Sequence, residues 1–237
     1  MRAITFLREL EKLQNPVILL NDVVRIINKS KEYARVYVHR LIKRNLLMEI
    51  EKGKYTLSFD ALEIGPNLIF PSYISFLSAY SIYGFTTQIP AKVHVVSLRS
   101  KKPVEAANSE IVFIKFKKEN FFAYKRERFR DKLIFIAEPE KAIIDSLYLP
   151  EYCPITESFE ALKSREIRVE KLIEYGLEMN SIVTLKRLGY LLELNSIDIY
   201  EKIKHKLNKR YDLLNPFLKK SSHTSSKWRL NINEVFE

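Results

Sequence analysis

The sequence predicts an α+β protein, on three observations. Apolar residues recur at helical spacing through the first 44 residues and again beyond about residue 139. Between these regions lie four runs rich in Val, Ile and Phe: "KVHVVSL", "EIVFIKF", "FFAYKRERF" and "KLIFIA". They follow one another with polar connections and no helical stretch, which predicts a mostly antiparallel or mixed sheet and not a doubly wound one. Glycine is scarce, five in 237 residues, which argues against disorder and against glycine loops that cradle phosphate.

The elements read as follows. "AITFLRELEKLQ" predicts a first helix with Ile4, Leu7, Leu10 and Leu13 facing a core. "VILLNDVVRIIN" predicts a short helix capped by Asn21 and carrying Val23, Val24, Ile26 and Ile27. After the turn "NKSK", a helix is expected from Lys31 to Arg44 with Ser30 as its N-cap. At 100° per residue Ala34, Tyr37, Val38, Leu41 and Ile42 form one stripe. Glu32, Val36, His39, Arg40 and Lys43 lie opposite, with Arg35 and Arg44 at the borders. "LLMEIEKGKYTLS" then predicts a β-hairpin turning at Glu51-Lys52-Gly53.

Three helices followed by a hairpin with a basic tip is the order of a winged helix-turn-helix. A helix about 10–12 Å across fills the DNA major groove, so its exposed side must offer donors to bases and phosphates. Lys31, Glu32, Arg35, Val36, His39, Arg40, Lys43 and Arg44 are therefore candidate contacts to duplex DNA. Lys52, Gly53 and Lys54 at the hairpin tip are candidates for the flanking backbone. The competing reading is a solvated basic helix, or a winged module used only for protein contacts.

Beyond the hairpin, "SFDALEIGPNLIF" has the composition of an irregular link. It places a boundary near residue 65, giving a first domain of residues 1–65 and an α+β domain of residues 66–237. A fragment starting near Asn67 is then expected to fold alone. "PSYISFLSAYSIYGF" predicts a helix capped by Ser72, with Ile74, Leu77, Ala79 and Tyr80 along it and Gly84 at its end. "EPEKAIIDSLYL" predicts another, opening at Glu138-Pro139. From residue 156 the pattern is helical through "YDLLNPFLKK", with breaks near Lys163, Asn180, Asn195 and Pro216, and the short strand "WRLNI" follows.

The charge is +11 with a pI near 9.5, which favours polyanions. It comes in blocks: 12 basic and 6 acidic residues over 1–57, 11 and 5 over 99–132, 7 and 12 over 133–200, and 9 and 4 from 201. Lys115, Lys117, Lys118, Lys125, Arg126, Arg128 and Arg130, interleaved with Phe and Tyr, form a possible second basic surface. Stacking and charge on a single strand would give this pattern, and so would a half-exposed strand with aromatics inward.

Several classes are disfavoured. No apolar run reaches membrane-spanning length and the N-terminal segment is amphipathic, so a cytoplasmic protein is expected. One cysteine, Cys153, excludes an internal disulfide and a Cys-based zinc site. His39, His94, His205 and His223 show no metal-ligand spacing, and no P-loop, G-x-G-x-x-G, H-E-x-x-H or G-x-S-x-G is present. Glu138, Glu140 and Asp145 are the nearest approach to a carboxylate cluster. Acids in a first helical turn are explained by the helix dipole, with Asp145 an exposed residue one turn on. No catalysis, cofactor or metal is expected.

Taken together, "PSYISFLSAYSIYGFTTQIPAKVHVVS", "EPEKAIIDSLYLP", "LKRLGYLLE" and "SKWRLNI" resemble the AbiEi-like antitoxin and transcriptional regulator family of type IV toxin–antitoxin, abortive-infection systems. The resemblance spans nearly the whole chain and rests on the order and spacing of these segments. It implies an N-terminal domain that binds promoter repeats of its own operon and represses it. It also implies a C-terminal domain that counteracts a cognate nucleotidyltransferase-type toxin without a stable complex. Two other functions stay open: a stand-alone transcription factor whose C-terminal domain senses a ligand or dimerises, and an RNA-binding protein.

Overall fold

The computed structural model describes residues 1–236 and is of the α+β class. Its contacts divide it into two compact units. The first comprises residues 1–74, 91–115 and 126–136, and the second residues 75–90, 116–125 and 137–237.

The first unit opens with α1 (Ala3–Glu11), the two-residue β1 (Ile18–Leu19), α2 (Leu20–Ile27) and α3 (Lys31–Lys43). A hairpin of β2 (Met48–Glu51) and β3 (Lys54–Thr56) follows, and β1 pairs antiparallel with β3 to make a three-stranded sheet. One apolar cluster joins these elements through Phe6, Leu10, Val23, Val38, Leu41 and Tyr55. Two expectations need correction. α1 buries Phe6 together with the expected Leu10, whereas Ile4 is 62% exposed. The start of α2 is closed by Asp22, whose Oδ2 accepts from the Leu19 N–H at 3.0 Å, leaving Asn21 exposed. A carboxylate there also suits the positive end of the helix.

Next come α4 (Ala61–Ile64), where an irregular link was expected, and β4 (Ser72–Ile74). Five further strands of the same sheet are β5 (Lys92–Ser97), β6 (Val104–Ala106), β7 (Ser109–Lys115), β8 (Tyr124–Phe129) and β9 (Lys132–Ala137). With β4 they form a six-stranded mixed sheet in the order β6-β7-β5-β4-β9-β8. β5 runs parallel to β7 with Val93 opposite Ile111, and β4 runs antiparallel to β5 with Tyr73 opposite Val96. Ser72, Tyr73 and Ile74 are fully buried, so the segment read as the first turn of a helix is an inner strand. Burial on both faces removes the alternation that would have announced it.

A second cluster explains why no seam falls at residue 65. Val17, Ala61, Ile64 and Leu68 share it with Val93, Val95, Val104 and Ile111. Gly65 allows the approach, since a Cβ there would stand 3.0 Å from Val95 Cγ2 and 3.2 Å from Ile111 Cγ2. Residues 67–237 alone lack Val17, Ala61 and Ile64, and so expose the sheet face that these residues cover.

The second unit contains α5 (Phe76–Tyr83), α6 (Pro139–Tyr148), α7 (Ile155–Ala161), α8 (Val169–Glu178), α9 (Ile182–Leu194) and α10 (Tyr200–Ile203). The eight residues Glu140–Leu147 of α6 are all buried, because α5, α7, α8 and α9 pack around it. Asp145, expected to be exposed, is fully buried and bonded to the Lys141 ammonium and, at 2.7 Å, to the Ser75 hydroxyl. Beyond α10 and a 3-10 turn at Lys204–Lys206, the chain is not helical as expected. It forms a small sheet in which β12 (Leu230–Asn231) pairs with β10 (Asp212–Leu213) and β11 (Thr224–Ser225).

One face of α9 holds this terminal sheet in place. Lys186 Nζ donates to Asn208, the Arg210 carbonyl and Asp212, and Arg187 donates to the carbonyls of Leu147, Leu213 and Leu214. Burial pushes the Arg187 guanidinium down to about 10, with Asp212 opposing that shift. Trp228 is fully buried against Gly189, where a Cβ would lie 2.1 Å from a ring carbon, and its Nε1 donates to Glu193. A Gly189→Ala variant is predicted to lose about 1–3 kcal/mol of stability, because helix and indole must separate. Urea unfolding reads this as a lower midpoint; an unchanged midpoint would contradict the packing described.

Candidate nucleic-acid interface

Helix α3 starts where expected: Ser30 Oγ accepts from the Tyr33 N–H at 3.3 Å. Ala34, Val38 and Leu41 are buried, with Tyr37 and Ile42 partly so. The rest of the helix surface is open. Lys31, Glu32, Arg35, Val36, His39, Arg40 and Lys43 are all exposed, as is Arg44 at the C-cap.

Charge pairing engages several neighbouring cations, though Arg2, Arg8 and Lys29 are exposed and form no ion pair among the described residues. Lys12 is paired with Glu9, Arg25 with Asp22, Lys54 and Lys101 with Glu51, and Arg130 with Asp60. Among the described residues, Lys31, Arg35, Arg40, Lys43, Arg44 and Lys52 form no ion pair. Glu32, the one acid of the helix, serves its own first turn. Its backbone N–H and the Ser30 hydroxyl hold its carboxyl below the ordinary range, and Arg35 and Lys31 add to this.

The hairpin tip is fixed by local bonds. Gly53 adopts a left-handed conformation (φ +78°) that few other residues tolerate. Its N–H reaches Glu49 Oε1 at 3.2 Å and its carbonyl accepts from the Leu20 N–H at 3.2 Å, tying the tip to the start of α2. Between hairpin and helices lies a cleft of about 620 Å³ lined by Asn21, Lys31, Arg35, Glu49, Lys52 and Gly53. Lys52 is exposed at its rim. Sequence reasoning overlooked Asn21, because the cap it was expected to supply comes from Asp22.

Lys54 departs from expectation. Its ammonium lies 3.0 Å from Glu51 and donates to the Leu68 carbonyl at 2.8 Å, while Lys101 binds the other oxygen of Glu51. Burial raises the Glu51 carboxyl, but bonds from Lys101 and Lys54 outweigh it and leave the group below the ordinary range. Lys54 thus braces the hairpin internally.

Within the first unit the second basic group is spread across the width of the sheet. Lys115 ends β7, whereas Arg126 and Arg128 lie on the edge strand β8, with β5, β4 and β9 between. At about 4.8 Å per strand that is roughly 19 Å. Arg130 is taken up by Asp60 at 2.6 Å, and Lys117, Lys118 and Lys125 belong to the second unit. Charges along an edge strand also deter pairing with another chain.

The other candidates are internally engaged. Glu138 accepts from Lys171 and from the Tyr175 hydroxyl. Glu140 Oε1 accepts from the Arg168 backbone and side chain, and its buried Oε2 has no partner among the described residues. Burial pushes the Cys153 thiol up to about 12, which keeps it protonated, and pushes His94 down to about 4. Among the described residues no group of three or more His, Cys, Asp or Glu is placed to hold a metal ion, and no helix is long and apolar enough to cross a membrane.

No known family model matches the chain. Over 135 residues, 55% of the chain, it is 24% identical to Altered inheritance of mitochondria protein 9, mitochondrial, of Candida albicans, and this match spans only 20% of that protein's length. Its fold is similar to the crystal structure of the RV2827C protein from Mycobacterium tuberculosis, with a TM-score of 0.68 over 96% of this chain and 90% of that one. Sequence identity there is 13%, so the likeness is one of fold.

Because the Glu51 carboxyl titrates below its ordinary value near 4.5, its contribution to stability is present above that pH and is lost as pH falls through the folded-state value. Glu51→Gln should therefore cost about 1 kcal/mol at pH 7 and progressively less toward pH 3. Urea unfolding at both pH values checks this; an equal cost at both would remove the charged brace.

Proposed function

We propose that the chain is a winged helix-turn-helix regulator that binds duplex DNA through the outer side of α3 and the tip of the β2–β3 hairpin. The observation that carries this reading is a set of exposed cations, Lys31, Arg35, Arg40, Lys43, Arg44 and Lys52, that lie on α3 and the hairpin tip and form no ion pair among the described residues. Cations held exposed on a rigid helix retain their charge for an external polyanion. Support also comes from the element order, helix, strand, two helices and a hairpin, with the first strand completing a three-stranded wing.

Roles can be divided by chemistry. Arg35 offers a bidentate fork for guanine, and the exposed Val36 side chain suits a thymine methyl. Arg40, Lys43 and Arg44, farther along the helix, suit phosphates, as does Lys52 on the hairpin. The resemblance to AbiEi-like regulators extends the proposal to repression at promoter repeats and protection against a nucleotidyltransferase-type toxin.

Replacing Arg40 and Lys43 together by Ala should weaken duplex binding and flatten its salt dependence by about two units of log–log slope, about one per lost phosphate contact. Unchanged affinity and slope in a folded double variant would remove α3 from the interface. Lys52→Ala should lower affinity for a preferred and a random duplex by similar factors, as a phosphate contact does. Loss of preference alone, measured by competition between the two duplexes, would make Lys52 a reader of bases instead.

A further inference from the structure

The terminal part of the second unit carries a charge pattern that the α3 site does not use. From Lys202 to Arg229 the chain holds nine Lys or Arg and one acid, Asp212. That acid is already engaged, accepting from the buried Lys186 at 2.7 Å and lying 3.3 Å from Arg210. Lys204 pairs with Glu201, and Lys227 with Glu193 and Asp198. Lys206, Lys209, Lys219 and Lys220 form no ion pair among the described residues and are exposed.

Among these cations stand exposed apolar groups: Phe217 is 63% exposed, Leu218 44% and Tyr211 41%. Their exposure does not come from a loose loop. Asn233 exchanges bonds with the backbone of Asn215, its Oδ1 accepting at 2.9 Å and its Nδ2 donating at 2.7 Å, and also donates to the Leu218 carbonyl at 3.1 Å. Asn231 does the same for Ser221, accepting at 2.9 Å and donating at 2.7 Å. The 215–221 backbone is thereby pinned with its Phe-Leu-Lys-Lys tip outward. Tyr211 is likewise oriented: the Arg229 guanidinium lies 5.5 Å from its ring centroid and donates to its hydroxyl at 3.3 Å.

We propose that this surface, with Tyr211 and Phe217 as aromatic platforms and Lys209, Lys219 and Lys220 as phosphate contacts, binds single-stranded nucleic acid. Unpaired ammonium groups call for a polyanion, and fixed, exposed rings call for flat partners. A single strand supplies both, because its bases are free to stack while its phosphates meet the lysines. A duplex conceals its base faces, and an acidic peptide offers charge without flat faces. The proposal is independent of the duplex reading, since it rests on other residues in the other unit.

The test uses the full chain and fluorescence anisotropy with a labelled uridine dodecamer and, separately, a 20-base-pair duplex. Tyr211→Ser with Phe217→Ser, and Lys219→Ala with Lys220→Ala, should each weaken single-strand binding by roughly fivefold or more, while duplex affinity changes less than twofold. Arg40→Ala with Lys43→Ala should leave single-strand affinity unchanged. Thermal melting within a few degrees of the parent establishes that each variant is folded. Absence of single-strand binding overturns the proposal, as does binding that both tail variants leave intact or that only the α3 variant abolishes. Capture of acidic peptides or anionic vesicles in place of the oligonucleotide overturns it equally.

Discussion

Burial of Ala34, Val38 and Leu41 against the core that contains Phe6, Val23 and Tyr55 is the constraint on which the first unit depends. A helix fixed along that stripe cannot rotate without exposing it, and one fully buried Val or Leu alone is worth about 1.5–3 kcal/mol. The same geometry fixes what faces outward. With 3.6 residues per turn, Arg40 and Lys43 must point to solvent once Val38 and Leu41 point inward. Packing and candidate function are two sides of one helix, so a core change that tilts α3 should act on both.

The neighbouring acids decide which cations stay available. Glu51 binds Lys54 and Lys101 and sets the hairpin against the chain near Leu68. Two lysines on either side of Gly53 thus differ in use: Lys52 is presented outward, whereas Lys54 braces the hairpin. In the second unit α9 has a comparable organising part. Gly189 makes room for Trp228, and Lys186 and Arg187 hold β10 and the residue after it. The segments "LKRLGYLLE" and "SKWRLNI" are therefore one packed feature.

Much of this was legible locally. Ser30, the period of α3, the Gly53 turn and the Val- and Ile-rich runs of β5 and β7 each act within a few residues, and sequence exposes such signals. What was missed depends on distant partners. β4 is a strand because Tyr73 meets Val96 and Ile74 meets Ile136 across the sheet, and nothing in "PSYISFL" announces that. Asp145 is buried because Lys141 and Ser75 satisfy it. The seam expected near residue 65 fails for the same reason, since Ile64 and Leu68 share a core with Val93, Val95 and Ile111. In the candidate site the exposed side of α3 was readable from period alone; the inward turn of Lys54 and the release of Asn21 from capping were not.

The central claim is that six unpaired cations of α3 and the hairpin meet the phosphates and bases of a duplex. The salt dependence of duplex binding by the unaltered chain tests it most directly. Release of condensed counterions at the four phosphate contacts, Arg40, Lys43, Arg44 and Lys52, predicts a fall in log affinity against log salt with a slope of roughly −4. A slope near zero, or no measurable duplex binding at low salt, would contradict the account.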